Sequence, residues 1–138
     1  MTAAPLRVRW LGRVPYCEAL AVQTSLFEHG DGQHLLLLEH PHVFTHGRRA
    51  DLATNLRCEP GAVGAELVGV KRGGDITYHG PGQLVGYPIV NVDNRLGASG
   101  HVCNVEGLVI DALAELGLSN AGRLEGFAGG WLDVDHPD

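Results

Sequence analysis

Apolar and polar positions along the chain fall into short periodic runs separated by stretches rich in glycine and proline. Between Leu6 and Leu11, the apolar Leu6, Val8 and Trp10 alternate with Arg7 and Arg9, a period of two that predicts a half-buried strand. From Pro15 the apolar positions Ala19, Val22, Leu26 and Phe27 recur at helical spacing; Pro15 suits a first turn and Gly30 a stop. His34 to Glu39 reads as a short strand whose continuous apolar middle suits coverage on both faces, and His40-Pro41 breaks it. Val43 to Thr45 is too short to assign. Gly47 to Gly64, rich in Arg, Asn, Pro and Gly without a period, reads as an exposed loop.

Further along, Glu66 to Arg72 and Ile76 to Tyr78 read as two strands joined at Gly73-Gly74-Asp75, and Gln83 to Val92 as a third, with Pro88 favouring an edge or a bulge. From Ser99, a possible N-cap, the positions Val102, Val105, Val109, Ala112 and Leu116 mark the strongest helical stripe, ending at Gly117. Trp131 to Val134 resembles a last strand and Asp135 to Asp138 a turn. The order strand, helix, several strands, helix, strand predicts an α/β or α+β domain built on a mixed β-sheet with flanking helices. At 138 residues the chain fits a single domain.

Composition supports a folded protein, with 44% hydrophobic and 19% charged residues. Charge is unevenly spread: residues 1–72 carry eight Lys/Arg and seven Asp/Glu, whereas 73–138 carry two and nine, giving the net −6. That balance argues against nucleic acid, whose phosphates demand a basic face. A local patch of Arg48, Arg49, Arg57, Lys71 and Arg72 still offers either a mixed-charge surface or a seat for an acidic partner. The longest apolar run, Leu35 to Leu38, is far too short to span a bilayer, and no apolar signal core follows the first arginines. Neither export nor a membrane is expected. Cys17, Cys58 and Cys103 are odd in number and widely spaced, the pattern of reduced thiols in a cytoplasm.

Chemistry concentrates in Arg72-Gly73-Gly74-Asp75-Ile76-Thr77-Tyr78-His79-Gly80-Pro81-Gly82-Gln83, where four glycines, a proline, an arginine and a histidine share twelve residues. Glycine admits positive φ and lets a ligand approach main-chain N–H groups that a Cβ would shield. Arg72 supplies a fixed cation, and His79 a group able to donate, accept or move a proton near neutral pH. A glycine-rich double hairpin around a packed His79 is the plain structural alternative, and the residue pattern alone leaves both open. His40, His42 and His46, spaced H-x-H-x3-H, also invite a metal reading because imidazole suits zinc or copper.

The run RGGDITYHGPGQLVGYP resembles the signature of the lipoyl(octanoyl) transferases, which share a fold with lipoate and biotin protein ligases. Supporting pieces stand in the same order: Leu35 to Pro41, Val43-Phe44-Thr45, Gly47-Arg48, Leu116-Gly117-Leu118 and Gly129-Gly130-Trp131. The resemblance covers nearly the whole chain. Gly80 and Gln83 favour the transferase over the related ligases, which carry aspartate and asparagine there. It makes His40 a structural turn residue, leaving no metal site expected, and it implies no cofactor.

The resemblance implies transfer of an octanoyl or lipoyl group from acyl carrier protein to a lysine of lipoyl domains, those of the 2-oxoacid dehydrogenases and the glycine cleavage H protein. It places Arg72, Gly73, Gly74, Asp75, Ile76, Thr77, Tyr78 and His79 along the acyl pocket, where glycine amides would hold a carbonyl oxygen as it gains charge. In the family a cysteine thiolate takes the acyl group and a lysine lowers its pKa. By the family's order both follow Asp138, so residues 1–138 read as one incomplete acyltransferase domain with no catalytic residue of its own. Cys17 and Cys103 are expected packed in helices and Cys58 in a loop, none with an activating partner. An inactive remnant that only binds acyl chain or carrier protein, and an ATP-dependent lipoate or biotin ligase, are the alternatives. An unpaired last strand is expected to leave the fold poorly stable or prone to aggregate.

Overall fold

A computed structural model describes residues 4–132, so the expected end of the last strand at Val134 and the turn at 135–138 lie outside the described residues. The chain divides into two compact units, 1–90 and 91–138.

The first unit opens with β1 (Leu6–Arg13), α1 (Tyr16–His29) and β2 (Gln33–Glu39). β1 and β2 pair in parallel, from Leu6 opposite Gln33 to Trp10 opposite Leu37, and α1 is the crossover that such pairing requires. The helix begins where the sequence predicts. Pro15 precedes its first turn, and Gly30 closes it with its N–H on the Leu26 carbonyl. A side chain at Gly30 would meet that oxygen at 2.4 Å, so the stop signal is steric. β6 (Val85–Ile89) adds an antiparallel edge to β2, with Pro88 on the edge strand as expected.

Two expectations about this sheet change. β1 is a strand, but Leu6, Val8 and Trp10 are 49%, 56% and 62% exposed, so its apolar face is open rather than half-buried. In β2, His34, Leu36 and Leu38 are buried whereas Leu35 and Leu37 are only half-buried, so the two faces are unequally covered.

The second sheet departs most from the sequence. Val43–His46, too short to assign by periodicity, is β3, the centre of three strands. β4 (Glu66–Gly69) lies parallel to it and β5 (Ile76–His79) antiparallel. β4 and β5 are therefore not a hairpin across the glycines; β3 separates them. The stretch 47–64 holds two short ordered pieces, α2 (Leu52–Asn55), capped by the Asp51 side chain on the Thr54 N–H, and a 3-10 turn at Pro60–Val63.

The second unit comprises α3 (Gly97–Glu115), β7 (Ala121–Leu124) and β8 (Phe127–Leu132). α3 starts after Leu96, earlier than the Ser99 cap predicted, and its N-terminus has no side-chain cap. It ends as expected at Gly117, whose φ of +92° lets the Leu118 and Gly117 amides reach the carbonyls of Leu113 and Ala114. β7, unrecognised in the sequence, pairs antiparallel with β8 through a two-residue turn at Glu125-Gly126. Glu106 on α3 ties this hairpin down, accepting the Gly129 N–H at 2.7 Å and the Arg123 Nε–H at 3.3 Å. The mixed α/β architecture expected from the order of elements is present, and no described helix is long and apolar enough to cross a membrane.

Candidate functional site

The glycine-rich motif occupies the loop before β5, β5 itself and the turn after it. Gly47, just past β3, governs the loop. A Cβ there would lie 2.3 Å from the Gly74 carbonyl oxygen, 2.9 Å from that of Arg72 and 3.1 Å from that of Gly73, while the Gly47 N–H donates to Asp75 O at 3.2 Å. The carbonyls of residues 72–75 thus converge on one glycine. Peptide planarity fixes the consequence, since no peptide bond among the described residues is cis. Across a trans peptide the N–H points opposite to its C=O, so the amides of Gly73, Gly74 and Asp75 face away from Gly47, on an exposed stretch of chain. Consecutive outward amides of this kind attract negative charge. Gly74, at φ +81°, adopts a conformation that side chains disfavour.

Arg72 holds the loop in place. Its Nη2 donates to Thr45 O at 3.0 Å, Thr45 Oγ1 at 2.9 Å and Thr77 Oγ1 at 3.0 Å, and Nη1 donates to Gly73 O at 2.9 Å. Thr45 and Thr77 are cross-strand partners, so the guanidinium bridges β3 and β5. Both terminal nitrogens thus donate to the protein, while no carboxylate among the described residues forms an ion pair with the guanidinium. Asp75 receives the side-chain amide of Asn55 and fastens α2 to the same loop.

At the far end of β5, about 10 Å along the strand, His79 joins an aromatic cluster. The Tyr16 ring stacks on it at 6.4 Å and 14°, and His40 meets it edge-on at 5.7 Å. His40, fully buried at the corner between β2 and β3, uses both nitrogens: Nδ1 lies 2.7 Å from Val14 O and Nε2 2.8 Å from Tyr87 Oη. A carbonyl only accepts, so Nδ1 carries the proton and Tyr87 donates to Nε2. Burial lowers the His40 pKa and neighbouring His79 lowers it further, against the opposing Val14 hydrogen bond. Burial raises the Tyr87 hydroxyl to about 12, and it raises Tyr16 too, partly offset by Arg72.

The eight sequence-predicted positions are spread over the loop before β5 and β5 itself rather than gathered at a single point. Arg72 and Thr77 touch, and Thr77 and His79 share the face of β3 that buries Val43 and Thr45. Ile76 and Tyr78 fall on the other face, where Tyr78 meets Phe44 and bonds His42. His40, His42 and His46 go to different neighbours, with His46 Nδ1 beside Gly47 O. All three cysteines are exposed, which corrects the expectation that Cys17 and Cys103 are packed in their helices. Tyr16, Tyr87 and Gln83 were not singled out as site residues from the sequence. Only Gln83 carried a signal, through its place after Gly80-Pro81-Gly82.

Comparison with known proteins decides the family. Residues 15–135 match the lipoyl protein ligase A/B catalytic domain. The chain belongs to this family. It is 42% identical over 97% of its length to an octanoyltransferase of Mycolicibacterium gilvum, 44% identical over 91% to one of Mycobacterium bovis, and 41% identical over 91% to one of Solibacter usitatus. It spans 56%, 53% and 60% of those relatives. In fold, this family member is similar to the lipoic-acid-bound structure of protein Ta0514 of T. acidophilum, at TM-score 0.67 and 22% identity over 96% of the chain. It is equally similar to lipoate-protein ligase A bound with ATP, at TM-score 0.67 and 20% identity over 99%; in each case it covers 54% of the other protein.

Proposed function

We propose that this chain forms part of the acyl site of an octanoyltransferase, moving an octanoyl or lipoyl group from acyl carrier protein to a lysine of lipoyl domains. The observation that carries the reading is the 41–44% identity, over more than nine tenths of the chain, to relatives named octanoyltransferase. The family match spans residues of both units, which supports treating them as parts of one catalytic domain.

Within that reading, Arg72 to His79 line the path of the acyl thioester. The outward amides of Gly73, Gly74 and Asp75 supply donors where a thioester oxygen gains charge, and such a donor is commonly worth about 3 kcal/mol. The loop-to-His79 span suits an extended medium acyl chain. A cysteine thioester is the covalent intermediate in this proposal. None of Cys17, Cys58 and Cys103, all exposed, has a hydrogen bond or ion pair that marks an activating partner among the described residues, so the transfer assay below also decides whether one of these thiols carries the acyl group.

Incubating the protein with octanoyl-acyl carrier protein and a lipoyl domain tests this. The expected result is an acceptor heavier by one octanoyl group, independent of ATP. Modification only with free octanoate and ATP would replace the transferase by the ligase reading, and no modification under either condition would remove the transfer reading for this chain.

A further inference from the structure

We infer that Gln83 is a positioning residue that fixes His79 with its proton on Nδ1, leaving Nε2 as a hydrogen-bond acceptor for a donor group of the reactants. The inference rests on the acyl-transfer reading above for its role in activity.

The sequence that follows His79 builds the contact. Gly80-Pro81-Gly82-Gln83 is a tight turn, closed by the Gln83 N–H on Gly80 O at 3.1 Å. Proline suits its second position, and Gly82, at φ +89°, supplies the positive φ demanded at the third. Gly80 is buried, and a Cβ there would meet the Tyr78 hydroxyl at 2.2 Å and His42 Nδ1 at 3.1 Å, so the turn fits this close only with glycine. The chain reverses at once, and the Gln83 side chain returns to the strand it left.

Two contacts then settle the protons. Gln83 Nε2 donates to Tyr78 O at 3.4 Å, and a carbonyl there would be repelled, so the amide presents Oε1 to His79 Nδ1 at 2.6 Å. Oε1 only accepts, so Nδ1 must be the protonated nitrogen. A free imidazole chooses its tautomer by the bond its other nitrogen makes, and here that bond is fixed. In the neutral ring Nε2 then keeps a lone pair, and it has no protein partner among the described residues, while Tyr16 and His40 restrain the ring plane from two sides. A neutral His79 in this state cannot donate to a thioester oxygen. The group it receives must bring a hydrogen, which selects an attacking amine or a thiol.

The experiment is nitrogen-resolved NMR of the histidine rings in the full chain, with acyl-transfer kinetics beside it. In the wild type, His79 Nδ1 is expected to be protonated and Nε2 bare. Gln83→Leu is expected to release the proton to Nε2 in a substantial population and to lower kcat by about tenfold to a hundredfold, by analogy with the loss seen when the orienting partner of a metal-bound histidine is removed, with KM little changed. Gln83→Glu keeps the acceptor, so it should hold the wild-type tautomer and recover most of kcat. Its carboxylate also favours the imidazolium, so the acid limb of its pH profile should move to higher pH. A wild-type His79 protonated on Nε2, or a leucine variant with unchanged tautomer and pH profile, overturns the inference. If no variant transfers an acyl group and the tautomer still responds to Gln83, the acyl reading and the role in activity fall together, while Gln83 stands as the residue that sets the proton.

Discussion

At the residue scale the most constrained group is His40. It is fully buried, gives its Nδ1 proton to Val14 O, and takes the Tyr87 hydroxyl proton on Nε2. A second proton would have to displace that hydroxyl in a desolvated place already facing His79, with Tyr16 and Tyr87 as the other titratable neighbours. The folded pKa therefore lies below the ordinary histidine value, with burial as the main cause. The sign follows. Above about 6.5, the unperturbed value, neither state holds the proton and the contribution to stability is complete. As pH falls from there towards the lower folded value, the unfolded chain takes up a proton that the folded chain refuses, and stability declines. Tyr87→Phe leaves Nε2 buried without a donor and should cost about 1–3 kcal/mol at neutral pH. Chemical denaturation across this pH range, with NMR titration of His40, checks both. A His40 that titrates at 6.5 or above would sink the argument.

At the element scale, the structure shows which signals are local and which are not. β1, α1, β2, β6 and the body of α3 were legible because each carries its own period or its own punctuation: Pro15 and Gly30 around α1, Pro88 on an edge, Gly117 after α3. β3 was not, because four residues hold barely two alternations, and β7 was not, because Ala121-Gly122-Arg123-Leu124 has almost no apolar pattern. The supposed hairpin between β4 and β5 failed for a different reason. A glycine pair between two apolar runs looks like a turn, and nothing near it reveals that β3, some thirty residues earlier, lies between them. The site divides in the same way: Arg72 and His79 are visible as chemical types, whereas the convergence on Gly47 and the Tyr87–His40 bond depend on non-local pairing.

Glu106 gives this scale its prediction. Its carboxylate is the acceptor that joins α3 to the β7–β8 hairpin, with Arg123 completing the link through Cys103 O. Glu106→Ala should leave α3 helical while loosening the hairpin, read as faster hydrogen exchange at the Gly129 amide and unchanged helical circular dichroism. Unchanged protection of Gly129 would show that the hairpin holds without this anchor.

At the scale of the whole molecule, the question is what becomes of the apolar surface. No residue of α3 is buried. Its stripe leaves Val102 at 45%, Val105 at 36% and Val109 at 44% exposure, and Phe127 at 62%, Phe27 at 82% and Trp10 at 62% stand open elsewhere. Single exposed apolar residues are ordinary, but a stripe of them along a nineteen-residue helix is a surface that water disfavours at about 25 cal/mol per Å². Opposing association is the net charge of −6, whose repulsion acts over a Debye length of about 10 Å at 0.1 M salt. Added salt removes the repulsion and strengthens the apolar attraction, so the two effects point the same way. Sedimentation velocity is therefore expected to show self-association that grows with protein concentration and with salt, together with binding of an apolar dye. Replacing Val109 by Lys should weaken the association by placing charge within the stripe. A chain that sediments as a monomer at every concentration and salt, and binds no dye, would mean that these side chains are covered in solution by contacts the described residues do not make.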